Sequence, residues 1–208
     1  SVTEIHLREL SSSDLSRLGI WFIRDFYYRG LVSVKGFRGF VILWENEVAG
    51  FISLSLEPAK TVFRSLLANN FGTLIMSLVR AFLNDAGTTG AILEASRFFL
   101  SGGRRMEAGV SEILSFAVPV RFRSREFYQK SKLKPGNELF RFALNFLKEM
   151  DQRKTFLMVE TQNAPARIFY KNMGMKESDP ILGRGETYRK EYFGLDCVKY
   201  ELTFDDSC

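Results

Sequence analysis

The sequence contains few of the residues that build metal sites and disulfide frameworks. Its 208 residues include one histidine, His6, and two cysteines, Cys197 and Cys208. No Ser-His-Asp set can be assembled around the single histidine, and no Cys/His cluster offers a metal site. The two cysteines lie too close to the end of the sequence to stabilise a fold with a disulfide. We therefore predict an absence of bound metal and a reducing, cytoplasmic setting.

The sequence also lacks a long uninterrupted apolar run. No window reaches the charge-free span of about 18 residues that a membrane helix needs. The N-terminal residues, SVTEIHLREL, do not resemble a secretory signal. Residues 71–83, FGTLIMSLVRAFL, are more apolar than a typical amphipathic helix. Attachment of this segment to a membrane surface is a minor alternative.

Apolar side chains are abundant, and the charge is modest. Hydrophobic residues make up 46% of the sequence and aromatic residues 14%, which is ample for the core of a single domain over residues 1–208. The net charge of +5 favours acidic ligands such as phosphorylated cofactors, although a generally solvated basic surface is an equal alternative. This composition is far from that of a nucleic-acid-binding protein, so we predict no nucleic-acid partner.

The N-terminal part of the sequence predicts a strand, a helix and a hairpin in that order. Thr3, Ile5 and Leu7 alternate with polar neighbours, which indicates an opening strand with one buried face. Apolar residues at helical spacing then predict a helix that runs to about Tyr28. Two apolar runs follow, separated by Glu45-Asn46-Glu47, and this arrangement is typical of a hairpin.

Residues 58–110 interrupt this compact pattern with helical spacing. Apolar residues predict three helices, around residues 62–67, 74–83 and 92–99, with Gly72 among the breaks. We expect a helical insertion packed on the sheet. A wall or lid beside an active site is the functional alternative.

The second half of the sequence predicts alternating strands and helices. Residues 111–118 form an apolar run that is typical of a strand buried on both faces. One apolar stripe predicts a helix over residues 139–150, and a short strand follows at 156–159. Residues 180–193 are charged and predict a loop and an edge strand, and residues 198–204 alternate as a final strand.

Residues 155–175, TFLMVETQNAPARIFYKNMGM, carry the most specific pattern. Asn163 is a typical N-cap residue, Pro165 falls in the first helical turn, and Gly174 ends the helix. The pattern N-x-x-A-x-x-F-Y-x-x-x-G-M resembles the strand-and-helix signature of the Gcn5-related N-acetyltransferase (GNAT) family. The resemblance implies an α/β fold with a mixed, mostly antiparallel sheet flanked by helices, and a helical insertion between the third and fourth strands.

The resemblance also implies an activity. Members of the family transfer an acetyl group from acetyl-CoA to a primary amine, here of a small molecule such as an amino sugar, or of a peptide. Tyr170 occupies the position of the family's general acid. The pKa of a phenol, about 10, lies above that of a thiol, about 8.5, so the phenol can donate a proton to the leaving sulfur. Packing of Tyr170 beside the cofactor is the alternative role.

The base that accepts the amine's proton is less well defined. Glu112, near the start of the 111–118 strand, is the first candidate, because several relatives carry a carboxylate on this strand. Glu160 is the second candidate, and a chain of water molecules is a third route. Either glutamate could instead be a solvated or ion-paired residue at a strand end.

The resemblance assigns the cofactor to the strand at 111–118 and to the basic turn after it. Similar enzymes hold the pyrophosphate with a glycine-rich loop, whereas this sequence reads VPVRFRSREFYQKSKLKPGNELF, with extra residues and no second glycine at the right spacing. A basic turn at a helix N-terminus is still an anion site, although an ordinary loop is the alternative. The residues predicted to bind acetyl-CoA are Phe116, Ala117, Val118, Lys132, Lys134, Gly136, Asn137, Asn163 and Tyr170.

Two further expectations concern partners. The apolar insertion and the C-terminal edge strand both favour a homodimer without requiring one. The altered pyrophosphate loop favours a rival function, a CoA-binding or partner-binding module that has the fold and lacks the chemistry.

Overall fold

The computed structural model describes residues 1–11, 16, 18–57, 59–84, 108–178 and 197–204. The described strands are β1 Phe37–Trp44, β2 Glu47–Ser55, β3 Val110–Ala117, β4 Lys154–Glu160, β5 Lys176–Ser178 and β6 Cys197–Thr203. The described helices are α1 Val2–Glu9, α2 (a composite of Gly19–Trp21, Phe22–Tyr28 and Arg29–Leu31), α3 Ala59–Asn84, α4 Val120–Arg123, α5 Arg125–Ser131, α6 Pro135–Glu149 and α7 Ala164–Asn172.

The strands form one six-stranded sheet in the order β1-β2-β3-β4-β6-β5. The neighbours β3 and β4 run parallel, and the other neighbouring pairs run antiparallel. A parallel pair needs a crossover connection, and α6 lies within the one that joins β3 to β4. The predicted mixed, mostly antiparallel sheet flanked by helices is confirmed.

The predicted opening strand is wrong, because the alternating Thr3, Ile5 and Leu7 lie on the helix α1. The Ser1 hydroxyl accepts a hydrogen bond from the backbone N–H of Glu4, and the Glu4 carboxylate accepts one from the N-terminal amine. This reciprocal pair is a capping box, whose Ser-x-x-Glu pattern is visible in the sequence. Thr3 and Ile5 are buried and Leu7 is half-buried in this helix.

The predicted second helix is present in α2, and its central turn is a π-helix. Phe22–Tyr28 has π geometry, which is rare and often occurs at functional sites. Leu18, Phe26 and Tyr27 are almost fully buried, in a cluster that Leu114 of β3 also contacts. The helix α2 therefore packs on one face of the sheet.

The predicted hairpin is confirmed, with a tighter turn than the sequence indicated. Trp44 of β1 pairs with Glu47 of β2, so the turn consists of Glu45 and Asn46 alone. Both have positive φ, 47° and 65°, as the two central residues of a type I′ turn require.

The insertion between the hairpin and β3 differs from the prediction in two respects. The break between its first two helical stretches is at Asn70 (φ −131°, ψ 24°), where the side-chain amide donates to the Leu66 carbonyl, and is not at Gly72. The helix α3 packs mainly on α2, through Leu66 and neighbouring leucines, instead of on the sheet. The third predicted helix, around residues 92–99, lies outside the described residues.

The opposite face of the sheet is covered by α6 and α7. The predicted stripe on α6 is confirmed at Leu139, Phe140, Ala143 and Leu147, which are buried. Its predicted last member, Met150, lies past the end of the helix and is exposed. These side chains share a cluster with apolar residues of β2, β3, β4 and β6. The sheet thus separates α1 and α2 from α6 and α7.

Candidate active site

The strands β3 and β4 diverge within the sheet. They pair over three residues each, and the last pair is Glu112 with Phe156. On its other side, β3 stays paired with β2 as far as Phe51 and Ala117. In the part of the chain that the structure describes, the backbone groups of β3 beyond Glu112 have no strand partner on the β4 side. They can therefore bond a ligand placed in the gap between the two strands.

A β-bulge lies on β3 at the edge of this gap. Ser53 and Leu54 of β2 are consecutive, yet they pair with Ser115 and Ile113 of β3. Leu114 is therefore the extra residue, and a bulge of this kind re-aims the side chains around it. Leu114 packs against the α2 cluster, whereas Ile113 packs on the side of α6 and α7.

The N-terminus of α6 lies at the end of β3 and lacks a side-chain cap. Lys134, at the N-cap position, makes no capping hydrogen bond, and Pro135 has no N–H to satisfy. The backbone amides of Gly136 and Asn137 therefore point out of the helix without an intrahelical acceptor. A Cβ atom on Gly136 would lie 3.6 Å from side-chain atoms of both Phe116 and Val118. The amides and the positive end of the helix dipole thus face the end of the strand gap.

The extra residues between β3 and α6 form α4 and α5 and pack on the hairpin. Phe127 of α5 contacts Trp44 edge-to-face, with 5.5 Å between ring centroids. Arg121 of α4 forms an ion pair with Glu47 of β2. The added length is therefore held against the end of the hairpin, and the N-terminus of α6 stays beside β3.

Two lysines flank this helix end. Lys132 ends α5 in the left-handed conformation, with φ of 58°. The Lys134 ammonium lies 5.0 Å above the centre of the Tyr128 ring. Both lysines are exposed, and neither forms an ion pair with a residue in the described ranges. The turn therefore presents positive charge beside the backbone amides of Gly136 and Asn137.

Asn163 caps α7 as the sequence predicts. Its side-chain oxygen accepts a hydrogen bond of 3.2 Å from the backbone N–H of Ala166. The capping bond uses the oxygen alone, so the side-chain NH₂ remains able to donate to a ligand.

An ion-pair network holds α7 against β5 and β6. The carboxylate of Glu177 accepts hydrogen bonds from Arg167 and from the Tyr200 hydroxyl, and pairs with Lys171 at 3.0 Å. Hydrogen bonding from Lys171 and then from Tyr200 lowers the pKa of Glu177 to about 2. The carboxylate thus stays charged at neutral pH, and α7 is fixed relative to the sheet.

Tyr170 is buried on the side of the sheet that α6 and α7 cover. Its ring lies 5.5 to 5.9 Å from those of Phe140, Phe169 and Tyr200. Burial raises the pKa of Tyr170 well above the ordinary value, so the phenol stays protonated. None of the described side chains is hydrogen-bonded to its hydroxyl, which leaves this proton available to a ligand.

Phe116 and Phe169 pack against each other on the same side of the sheet. Their rings are stacked, with centroids 5.4 Å apart and planes inclined by 23°. The contact joins β3 to α7, and Phe140 of α6 packs edge-on against both rings. Neither aromatic contact was predicted, although Phe169 lies within the signature pattern itself.

Glu112 is buried on the opposite side of the sheet, only 5% exposed. Its charge adds to burial in raising the pKa of Tyr27 on α2, which places the carboxylate near that phenol. Tyr170 and Glu112 therefore flank the gap from opposite faces and do not meet on one face. Glu160, the second candidate base, ends β4 and pairs in register with Cys197.

Three predictions concern metal binding, membrane spans and residues 180–193. No group of three or more His, Cys, Asp or Glu side chains in the described ranges could hold a metal ion. None of the described helices is long and apolar enough to cross a membrane. Residues 180–193, a predicted loop and edge strand, lie outside the described ranges.

The sequence itself matches no protein-family model and no curated protein. Solved structures are similar in fold. A protein from Desulfovibrio desulfuricans described as an acetyltransferase of the GNAT family has a TM-score of 0.50 and 14% identity, over 97% of this chain and 91% of that one. The PaiA N-acetyltransferase of Thermoplasma acidophilum, in complex with coenzyme A, has a TM-score of 0.48 and 14% identity, over 98% and 96%. A ribosomal-protein-alanine N-acetyltransferase of Brucella melitensis has a TM-score of 0.46 and 13% identity, over 97% and 96%.

The strand order, the parallel pair that diverges and the crossover helix define an acyl-CoA N-acyltransferase fold. Within that class, the likeness to the Desulfovibrio desulfuricans structure identifies the fold as that of the Gcn5-related N-acetyltransferases. The resemblance first seen in the sequence at residues 163–174 is therefore confirmed at the level of the fold.

Proposed function

We propose that this protein is an N-acetyltransferase that uses acetyl-CoA to acetylate a primary amine. The observation that carries the proposal is the gap between β3 and β4, with the uncapped N-terminus of α6 at its end. A reducing compartment suits a sequence with only two cysteines, and we propose the cytoplasm as the location.

The residues around the gap fit acetyl-CoA, which supplies the acetyl group as a thioester. The amides of Gly136 and Asn137 suit the pyrophosphate, and Lys132 and Lys134 add positive charge. The free edge of β3 at Phe116 and Ala117, with Val118 just past its end, suits the amide groups of the pantetheine arm. Asn163 can donate from its side-chain NH₂ at the start of α7.

The reaction requires one proton to leave nitrogen and one to reach sulfur. A C–N bond forms, the C–S bond breaks, and its electron pair stays on sulfur. Tyr170 holds a proton at its hydroxyl oxygen because burial keeps its pKa high, so it suits the role of proton donor to sulfur. Glu112, across the gap, is the proposed acceptor of the amine's proton, with Glu160 or a water chain as alternative routes.

The acceptor is proposed as a primary amine on a small molecule, such as an amino sugar, or on a peptide. A second function is favoured by one observation, the Phe116–Phe169 stack, which packs β3 against α7 beside the gap. In that case the chain binds CoA or a protein partner without catalysis.

Release of CoA thiol from acetyl-CoA tests the proposed reaction. The protein would be incubated with acetyl-CoA and either glucosamine or a short peptide with a free α-amino group, and thiol release followed with a chromogenic disulfide. We expect release that depends on both the protein and the amine, together with an acetylated product in the mass spectrum. Binding of acetyl-CoA without release for either amine would favour the non-catalytic module.

A further inference from the structure

A buried polar cluster lies on the α2 side of the sheet, next to the bulge on β3. The hydroxyl of Ser115 is hydrogen-bonded to that of Ser53 and lies beside the phenols of Tyr27 and Tyr28. Tyr28 shares a second hydrogen bond, of 2.6 Å, with Nδ1 of His6 on α1. The surrounding side chains are largely apolar, and polar networks in such places are costly unless each member is satisfied or has a function.

His6 is buried beside this cluster and is surrounded by aromatic rings. It is 2% exposed, its ring is stacked on Phe51, and the rings of Tyr27 and Tyr28 contact it edge-on. Burial lowers the pKa of His6 to about 4, so the ring is neutral at physiological pH. Its Nε2 has no hydrogen-bond partner in the described ranges, and the bond to Tyr28 is the one that fixes the ring.

The π-helical turn of α2 brings the two adjacent tyrosines to one point on β3. Ser115 directly follows the bulged residue Leu114 and pairs with Ser53 of β2. Ser115 and Tyr28 are both half-buried, whereas Tyr27 is 1% exposed. Tyr28 is therefore the less buried of the two residues, and burial still raises the pKa of its phenol well above the ordinary value.

The position of this polar cluster determines whether it can contact the cofactor or the amine. This inference rests on the proposed acetyl transfer. The phosphate site at the N-terminus of α6 and the proton donor Tyr170 both lie on the α6 and α7 side of the sheet. An amine that attacks a thioester in the gap has to approach from the other side, because the cofactor occupies the first. That other side carries Tyr28, Ser115 and the carboxylate of Glu112.

We propose that the Tyr28 hydroxyl binds the amino group of the acceptor, and that His6 is a positioning residue that fixes the orientation of this hydroxyl. A phenol hydroxyl can rotate about its C–O bond. The hydrogen bond to His6 holds the Tyr28 hydroxyl in one orientation. Ser115 is its second hydrogen-bond partner, and the amino group would take the remaining acceptor site of the oxygen. The negative charge of Glu112 on the same face suits an acceptor that arrives as a primary ammonium ion, which loses one proton to solvent before the attack and a second as the amide forms.

Steady-state kinetics of Tyr28→Phe tests the role of the hydroxyl, with Tyr27→Phe as the matched control. Both changes remove one phenol oxygen beside Ser115, but only Tyr28 is bonded to His6. With glucosamine and the free-amine peptide as acceptors, we expect Tyr28→Phe to raise the KM for the amine about tenfold, as loss of one hydrogen bond to a charged group does. The affinity for acetyl-CoA should not change, and Tyr27→Phe should leave the KM for the amine within about twofold.

A double-mutant cycle tests the role of His6. We expect His6→Leu to raise the KM for the amine less than Tyr28→Phe does, and His6→Asn to restore part of the loss. The double variant should be no worse than Tyr28→Phe alone, because His6 acts through Tyr28. If the effects of His6→Leu and Tyr28→Phe on the KM for the amine were additive in folded variants, His6 would not act through Tyr28.

The failure of this inference is distinguishable from failure of the proposed function. An active wild-type protein whose KM for the amine is the same in Tyr28→Phe and Tyr27→Phe would overturn the inference alone. A wild-type protein that transfers acetyl to neither amine would overturn the proposed function and the inference together.

Discussion

Glu112 of β3 and Phe156 of β4 are the last residues at which these two parallel strands pair. Beyond them β3 keeps its hydrogen bonds to β2 while its other edge borders an open gap. Tyr170 and the α6 N-terminus lie on one face of the sheet, and Glu112 and Tyr28 lie on the other. The proposed division of proton-donor and amine-binding roles between these two faces leads to the following predictions.

Gly136→Ala should separate folding from cofactor binding. The new methyl group would make ordinary contacts of 3.6 Å with Phe116 and Val118, so the fold can accept it. Alanine also favours a helix by up to about 1 kcal/mol relative to glycine, so the free energy of unfolding should stay constant or rise. The affinity for acetyl-CoA should fall, because the methyl group occupies space beside the amides that we propose bind the pyrophosphate. Urea unfolding and calorimetric titration measure the two quantities, and undiminished affinity would place the pyrophosphate elsewhere.

Asn163 combines a structural role with a proposed binding role, and two substitutions distinguish them. Asn163→Ser keeps an oxygen that can cap α7, whereas Asn163→Ala loses the cap and about 1 kcal/mol of stability. Both lose the NH₂ group, so both should bind acetyl-CoA more weakly. If only the alanine variant binds more weakly, the residue acts through the helix cap alone.

Tyr170→Phe should lower kcat by about 100-fold while leaving acetyl-CoA binding intact, because it removes a proton donor from a ring that is otherwise buried. Since burial raises the pKa of Tyr170 well above its ordinary value, its ionisation should not lower the wild-type rate as the pH rises to about 9. Rate measurements over this range, with melting temperatures for both proteins, test the role. An unchanged kcat in the variant would leave Tyr170 as a packing residue.

His6 should make the protein sensitive to mild acid. Burial lowers its folded-state pKa to about 4, whereas the unfolded value is about 6.5, so the unfolded chain binds a proton that the folded chain excludes. Stability should therefore decrease as the pH falls from 7 to 5, by about 2 kcal/mol from this residue. The test compares urea unfolding of the wild type and His6→Leu at both pH values. An identical loss in the two proteins would exclude His6 as the cause.

Features that depend on local sequence could be predicted. Asn163 and Gly174 delimit α7 because capping and left-handed backbone are properties of single positions. The stripe on α6 likewise follows from its own spacing. The start of α1 was mispredicted although its signal was present, because the Ser1-to-Glu4 capping box was outweighed by a short alternation at residues 3, 5 and 7.

Features that depend on tertiary contact could not be predicted. The bulge at Leu114 is defined by pairing with β2, a strand some sixty positions earlier in the sequence. The bond between His6 and Tyr28 requires α1 and the π-helical turn to be packed together. The extra residues before α6 are held by the contact of Phe127 with Trp44, which no local pattern indicates.

Calorimetric titration of the protein with acetyl-CoA, and of the double variant Lys132→Ala/Lys134→Ala, tests the central claim most directly. The proposed site predicts saturable binding of one acetyl-CoA per chain. Binding should be weaker in the double variant and should depend more on salt in the wild type, because the lysines supply charge beside the α6 amides. Absence of acetyl-CoA binding to the wild-type protein would contradict the proposed acetyl transfer.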